Sequence, residues 1–191
     1  MCGQTQSSNP TQLRIIPKQR NSVIHIRPAR ETDAAVLAAI GLRAWAEATA
    51  VIGVTEALRE NARYAFENFT HASWAAITVA EAGGGIVGWA AREHFDDTIS
   101  DFWVDPPHQR QGVGAALLVE IERQIVARNF PSAKLESHAQ NERAVQFFRK
   151  HGYGVSWFSM KYSTRLDRDV QSIGLEKQFV HISDDSYGFD F

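Results

Sequence analysis

Hydrophobic and polar positions follow two periods along this chain. A period of two indicates half-buried strands, and apolar residues spaced by three and four indicate amphipathic helices. The strands predicted in this way cover residues 23–27, 74–80, 86–93, 99–104, 133–137, 154–162 and 173–182. The predicted helices cover residues 33–45, 55–69, 112–129 and 141–150, with Thr32 or Asp33 as the cap of the first.

The order of these elements is β-α-α-β-β-β-α-β-α-β-β. The three consecutive strands favour an antiparallel meander, whose first hairpin turns at residues 83–85, three glycines that accept positive φ. The strand–helix–strand passage over residues 99–137 favours a right-handed parallel crossover. The pattern therefore predicts an α+β fold (an α/β sandwich), with a mixed, mostly antiparallel sheet of about seven strands flanked by about four helices.

Length and composition fit one domain. We expect residues 1–21 of the 191-residue chain to be a disordered lead-in, residues 22–182 to form the single domain and residues 183–191 to be an acidic, aromatic tail. No run approaches the roughly 20 apolar residues of a membrane-spanning helix, and no signal-peptide pattern is seen, so we expect a cytoplasmic protein with no membrane partner. The net charge of −2 argues against a nucleic-acid partner.

Cysteine and histidine patterns argue against a metal. The one cysteine, Cys2, excludes an internal disulfide framework and a cysteine-based metal cluster. The histidines show no ligand spacing, so we expect no metal in this protein.

The most informative segment joins a predicted strand to a predicted helix over residues 104–115 (VDPPHQRQGVGA). The first amides of a helix have no partner within it and lie at the positive end of its dipole. Gly112 and Gly114 lack side chains, so a pyrophosphate can come close to the backbone, and Arg110 can add a charge-assisted contact. The alternative is a glycine-bearing helix start without a ligand.

A second segment lies downstream, at residues 141–153 (NERAVQFFRKHGY). Together the two segments resemble the GNAT superfamily of acetyl-CoA-dependent N-acetyltransferases. The loop pattern of that family, Gln/Arg-x-x-Gly-x-Gly/Ala, is met by Gln109, Gly112 and Gly114. Its second pattern, Asn-x-x-Ala-x-x-Phe-Tyr-x-x-x-Gly-Phe, is met by Asn141, Ala144, Phe147, Gly152 and Tyr153, with Phe148 in place of the Tyr.

The resemblance implies the GNAT fold, in which the strand ending at Val104 and the strand holding residues 135–137 form a splayed parallel central pair. It implies that acetyl-CoA binds with its pyrophosphate on the backbone of Gln109, Arg110, Gln111, Gly112, Val113, Gly114 and Ala115. The pantetheine arm would pair with Phe102 and Val104 as an added strand, and the Val104 amide would stabilise the oxyanion. The other side of the arm would be lined by Asn141, Ala144, Phe147 and Phe148.

The resemblance also implies the reaction, in which a primary amine attacks the bound thioester directly in a ternary complex. Residues 135–141 resemble the Leu-Glu-x-x-x-x-Asn stretch of ribosomal-protein N-terminal acetyltransferases, which makes Glu136 the candidate general base. Asp101 and Glu93 are the alternatives. Cys2 lies in the predicted lead-in, so we expect no acetyl-enzyme.

Phe148 cannot protonate the departing thiolate as the Tyr of many family members does. Water, Tyr153 or His151 are left open as the acid. The amine acceptor is not identified, although Trp45 and Tyr64 lie where the family builds its acceptor pocket. The last two strands often mediate dimers in similar proteins, so a homodimer is left open.

Two other functions compete with this interpretation. In a Rossmann dinucleotide site the first glycine follows its strand directly, but here residues 105–111 intervene and Leu117 holds the third glycine position. The stronger alternative is a catalytically weak or inactive CoA-binding or acyl-CoA-binding module, because Phe148 removes one catalytic group. Both would be stabilised by CoA, but only an enzyme releases thiol from acetyl-CoA when given an amine.

Overall fold

The computed structural model describes residues 23–50, 53–163 and 168–179. The predicted lead-in and tail lie outside these residues. The described strands are β1 (His25–Pro28), β2 (Ile77–Ala82), β3 (Gly85–Ala91), β4 (Thr98–Ile99), β5 (Asp101–Val104), β6 (Ser132–His138), β7 (Gly154–Ser163) and β8 (Arg168–Gln178). The described α-helices are α1 (Ala34–Thr49), α2 (Glu56–Ala72), α3 (Val113–Val126) and α4 (Glu142–Lys150).

The strands form two four-stranded sheets. The first sheet has the order β1-β2-β3-β5 and is antiparallel throughout. The second has the order β4-β6-β8-β7, in which only β4 and β6 are parallel. The α+β prediction is confirmed, with eight described strands instead of about seven because the predicted strand 99–104 is divided between the two sheets.

This division separates the central pair. β4 pairs with β6 at two positions, Thr98 with Lys134 and Ile99 with Leu135. After Ser100, β5 pairs with β3 instead, while β6 continues beside β8. The two central strands therefore diverge beyond Ile99, and a gap opens between β5 and β6, as the resemblance implied.

Helices cover the first sheet on both faces. On one face, Leu37 of α1 and Phe66 of α2 pack in one buried cluster with Val79 and Trp89 of the sheet. α3 covers the opposite face, and its apolar side also extends under the second sheet. This side is the stripe spaced by four that the sequence predicts, and all its members are buried: Val113, Leu117, Ile121 and Ile125.

Element ends differ from the predictions for identifiable reasons. Residues 74–76 form a 3₁₀ turn, so β2 begins at Ile77. β8 begins at Arg168 instead of residue 173, because its first residues pair with the exposed strand β7 and carry no apolar pattern. The Asp33 side chain does not cap α1; its Oδ2 accepts hydrogen bonds from Arg27 Nη1 at 2.7 Å and from the Arg30 amide at 2.8 Å.

None of the described helices combines the length and the apolar character needed to cross a membrane.

Candidate active site

The loop after β5 presents a run of backbone amides. Arg110 and Gly112 adopt positive φ values of 61° and 88°, which turn the chain so that α3 begins at Val113. The Ala116 amide donates to the Gly112 carbonyl at 3.0 Å. The six amides before it, those of residues 110–115, donate to no other described residue. Amides of this kind at a helix start attract an anion.

Gly114 packs closely against α4. A Cβ at this position would lie 3.2 Å from two ring atoms of Phe147. The side of Gly114 that lacks a side chain therefore faces an aromatic ring and not the expected anion. The missing side chain lets α3 and α4 come close together. Its amide still belongs to the run at the start of α3.

β5 offers an open backbone edge to the gap between the sheets. The Asp105 amide donates to the Val87 carbonyl at 2.9 Å. Hydrogen-bonded and non-hydrogen-bonded pairs alternate along antiparallel strands, so the next pair, Gly88 and Val104, is a non-hydrogen-bonded pair. The amides of Phe102 and Val104 consequently point away from β3. This edge is the one that an added extended chain would require.

Aromatic rings from α4 line the helix side of this edge. The Phe102 ring lies 5.7 Å from the ring of Phe147 and 5.3 Å from that of Phe148. Phe148 is buried, whereas Phe147 is partly accessible. Asn141, predicted to line the pantetheine arm, caps α4 by accepting a hydrogen bond from the partly buried Ala144 amide at 3.2 Å.

The two side chains considered as substitutes for the missing Tyr pack their rings against α4, Tyr153 on Phe148 and His151 on Phe147. The Tyr153 hydroxyl is buried near Glu122 of α3 and has no hydrogen-bond partner among the described residues. Burial, together with the Glu122 carboxylate, raises the pKa of Tyr153. His151 packs against Phe147, with Nδ1 2.8 Å from the Phe147 carbonyl oxygen. Neither arrangement favours proton delivery to a thiolate beside Phe148.

Glu136 lies where the gap begins. It is the β6 residue after Leu135, the last residue of β6 that pairs with β4. Since Leu135 packs in the cluster under α3, Glu136 points to the opposite face. Its Oε2 is 2.5 Å from Lys161 Nζ, which also lies 4.2 Å from the Trp157 ring centre. A cavity of about 370 Å³ contacts both Glu136 and Trp157.

The two alternative bases are placed less favourably. Asp101 is buried and accepts a hydrogen bond from the Trp103 indole at 2.8 Å. Glu93 is exposed after β3, and its amide donates to Ser100 Oγ at 3.2 Å. Of the three carboxylates, Glu136 is the one that is exposed on β6 beside the gap and paired with a lysine.

A network at the end of β5 was not foreseen. Arg143 of α4 forms an ion pair with Glu47 of α1 at 2.7 Å and donates to Gln109 Oε1 at 2.9 Å. Gln109 Nε2 donates to Glu47 at 2.7 Å and lies 3.4 Å from the Val104 carbonyl oxygen. Arg143 occupies an unspecified position of the second motif, and Glu47 follows no recognisable pattern, so neither residue could be recognised from local sequence.

A second missed residue is His138, at the carboxyl end of β6. Its Nδ1 accepts a hydrogen bond from the Gln140 amide at 3.2 Å. Burial, and then the positive charge of Arg168, lowers the pKa of His138. The described residues contain no group of three or more His, Cys, Asp or Glu side chains suited to a metal ion.

The splayed strands, the open edge of β5 and the amide run at the start of α3 are the architecture of an acetyltransferase. The model of the "Acetyltransferase (GNAT) family" matches residues 39–153, and the chain belongs to that family. No curated protein matches the sequence significantly.

Solved structures share the fold at low sequence identity. A GCN5-related N-acetyltransferase from Rhodopseudomonas palustris has 24% identity and a TM-score of 0.68, covering 83% of this chain and 97% of its own. PaiA N-acetyltransferase from Thermoplasma acidophilum, in complex with coenzyme A, has 18% identity and a TM-score of 0.65, with coverage of 82% and 99%. The ribosomal-protein-S18-alanine N-acetyltransferase from Escherichia coli has 20% identity and a TM-score of 0.61, with coverage of 86% and 99%.

Proposed function

We propose that this protein transfers an acetyl group from acetyl-CoA to a primary amine, which attacks the thioester directly in a ternary complex. The observation that carries the proposal is the run of amides over residues 110–115, which donate to no other described residue and lie beside the outward amides of Phe102 and Val104. The first group suits a diphosphate and the second suits the amides of a pantetheine arm. The family supports this assignment, as does the similar structure solved with coenzyme A.

Each part of the site has a role in this reaction. The backbone from Gln109 to Ala115 holds the pyrophosphate, with Arg110, Gln111 and Val113 contributing to the turn. The edge of β5 holds the pantetheine arm against Ala144, Phe147 and Phe148 of α4. The Val104 amide stabilises the oxyanion that forms when the amine nitrogen attacks the thioester carbonyl.

Glu136 is the proposed general base. An alkyl amine with a pKa near 10.4 is mostly protonated at neutral pH, which costs about 4.6 kcal/mol relative to the neutral nucleophile. A carboxylate at the mouth of the gap can accept the proton that the amine must lose. Lys161 holds this carboxylate in place through an ion pair.

Departure of the thiolate needs no side-chain acid. A thiol with a pKa near 8.5 leaves tolerably well without full protonation at neutral pH, so Phe148 slows the step without preventing it. Water takes the role of the missing Tyr, because Tyr153 is buried near Glu122.

CoA binding tests the cofactor site. At 100 times its dissociation constant, CoA should stabilise the fold by about 2.7 kcal/mol, a rise in melting temperature of roughly 5–11 °C. An unchanged melting curve at saturating CoA would contradict the proposal.

Gly114→Asp and Gly114→Ala form a matched pair for the same site. Both place a Cβ against Phe147, but only Asp adds a negative charge at the helix start whose amides are proposed to bind the pyrophosphate. Gly114→Asp should lose the thermal shift that Gly114→Ala retains. Equal CoA affinity of the two variants in calorimetry would locate the pyrophosphate elsewhere.

Thiol release from acetyl-CoA in the presence of an amine panel tests catalysis. Glu136→Gln should lower kcat/KM for amines across pH 6–9, whereas Lys161→Gln keeps the carboxylate itself and should have a smaller effect. Wild-type rates for Glu136→Gln would remove Glu136 from the mechanism. The panel should include α-amines, lysine side chains, polyamines and aminoglycosides, since the acceptor is open.

A CoA-binding module without turnover is the second candidate, and Phe148 is the observation that favours it. In that case CoA would stabilise the wild-type protein, but no amine in the panel would release thiol.

We also propose that two copies pair through β7. This ten-residue strand is exposed along nearly its whole length, and no described strand pairs with its outer edge. Phe158 and Met160 are 69% and 61% exposed on one face. Antiparallel pairing centred on Ser159 would place Phe158 of each copy opposite Met160 of the other copy. This pairing would also cover the exposed edge of β7.

The oligomeric state tests this interface. The wild-type protein should sediment as a dimer at micromolar concentration, and Phe158→Glu should sediment as a monomer. Val119→Glu, at an exposed apolar residue of α3, is the matched control and should remain a dimer. A monomeric wild type would overturn the pairing.

A further inference from the structure

The Glu47–Gln109–Arg143 network joins the two sides of the proposed cofactor site. Glu47 lies near the end of α1, which packs on one face of the first sheet, and Arg143 lies in the first turn of α4. Gln109 stands between them at the start of the amide-rich loop. These three side chains lie at the end of the open β5 edge, where a pantetheine arm would meet its pyrophosphate.

This network occupies the guanidinium of Arg143 with two protein acceptors. Its guanidinium uses Nη1 on Glu47 and Nη2 on Gln109, both at hydrogen-bond distance, and its side chain is 63% exposed. An exposed ion pair of this kind is a weak interaction. A dianionic diphosphate arriving beside Gln109 is a stronger partner for a guanidinium than one carboxylate is.

We propose that Arg143 exchanges Glu47 for a phosphate of coenzyme A, so that the Glu47–Arg143 pair is a latch that opens when the cofactor binds. This inference rests on the proposed function and adds two residues to it. Arg143 contributes a phosphate contact, and Glu47 competes for the same guanidinium. Glu47 therefore lowers the affinity for CoA and holds the arginine in position while the cofactor is absent.

Calorimetric binding of CoA, inorganic pyrophosphate and pantetheine tests the latch without requiring turnover. Glu47→Gln should tighten CoA and pyrophosphate about two- to fivefold, the range given by exposed ion pairs. It should leave pantetheine, which lacks the diphosphate, unchanged. Arg143→Gln should weaken CoA about tenfold or more, as expected for a hydrogen bond between charged groups.

The double variant distinguishes the latch from simple charge repulsion. If Glu47 acts through Arg143, Glu47→Gln should have no effect on CoA affinity in the Arg143→Gln background. If the carboxylate merely repels the phosphates, the tightening would be the same in both backgrounds, and that result would overturn the proposal. Glu60→Gln, which removes a carboxylate from an exposed arginine pair on α2, is the matched control and should not change CoA affinity.

The wild-type protein separates this inference from the proposed function. A wild type that binds neither CoA nor pyrophosphate would contradict the proposed function itself. If the wild type binds both ligands and Glu47→Gln binds them with the same affinity, the proposed cofactor site is retained and the latch is overturned.

Discussion

The two sheets share α3 but differ in what covers their other face. In the first sheet, Val79 and Trp89 are fully buried under α1 and α2 on one face, and Ala80 and Val87 are buried under α3 on the other. In the second sheet, Ile173 and Leu175 are buried on the α3 side, whereas β7 is exposed along nearly its whole length. The first sheet is therefore covered on both faces, whereas the second keeps an accessible face that carries Glu136.

The largest expected contrast is between one tryptophan of each sheet. Trp89 is fully buried, donates to the Leu37 carbonyl at 2.8 Å and stacks on Phe69. Trp157 is 36% exposed. Trp89→Ala should lower the free energy of unfolding by about 3–5 kcal/mol, and Trp157→Ala by about 1–2 kcal/mol. Denaturant unfolding measures both, and equal losses would contradict the contrast.

A glycine pair sharpens the same comparison at a smaller scale. A Cβ at Gly41 would lie 2.6 Å from the ring of Phe66, which is fully buried, whereas a Cβ at Gly174 would lie 2.1 Å from the Trp157 indole nitrogen. The Trp157 side chain can move into solvent, but the Phe66 ring cannot. Gly41→Ala should therefore cost about 2–3 kcal/mol and Gly174→Ala about 1 kcal/mol or less, measured by the unfolding midpoint. A larger loss for Gly174→Ala would show that the second sheet is the more rigid.

The smallest effects are linked to pH, and the two sheets should show them in different ranges. The lowered pKa of His138, beside the second sheet, means that the folded protein binds fewer protons there than the unfolded chain. The contribution of neutral His138 to folding stability is fully present above its unfolded-state pKa near 6.5. It is lost as the pH falls toward the lower pKa of the folded state. Asp33, held ionised by Arg27 of the first sheet, also has a lowered pKa, and its stabilising contribution is lost only below about 3.8.

Unfolding midpoints at pH 7.5 and pH 5.0 measure the contribution of His138. The wild-type protein should lose stability between these values, and His138→Gln should lose less. Asp33→Asn should change the pH dependence only in the more acidic range. An identical loss in wild type and His138→Gln would mean that His138 is not the titrating group.

The backbone features on which the proposed cofactor site depends were largely predictable from sequence because they depend on local structure. Gly112 and the helix start over residues 113–126 are recognised from adjacent residues, and the loop amides follow from them. The outward direction of the Phe102 and Val104 amides could not be predicted from adjacent residues alone. It depends on how β5 pairs with the neighbouring strand β3.

The sequence by itself determined the helices, most strands and the loop, because periodicity and helix-start residues act within a few residues of one another. Tertiary structure alone decided how residues 98–104 divide between two sheets, that Gly114 packs closely against Phe147, and that Glu47 meets Arg143 across 96 residues of chain. Contacts between distant segments depend on how sheets and helices pack, and no local pattern encodes that packing.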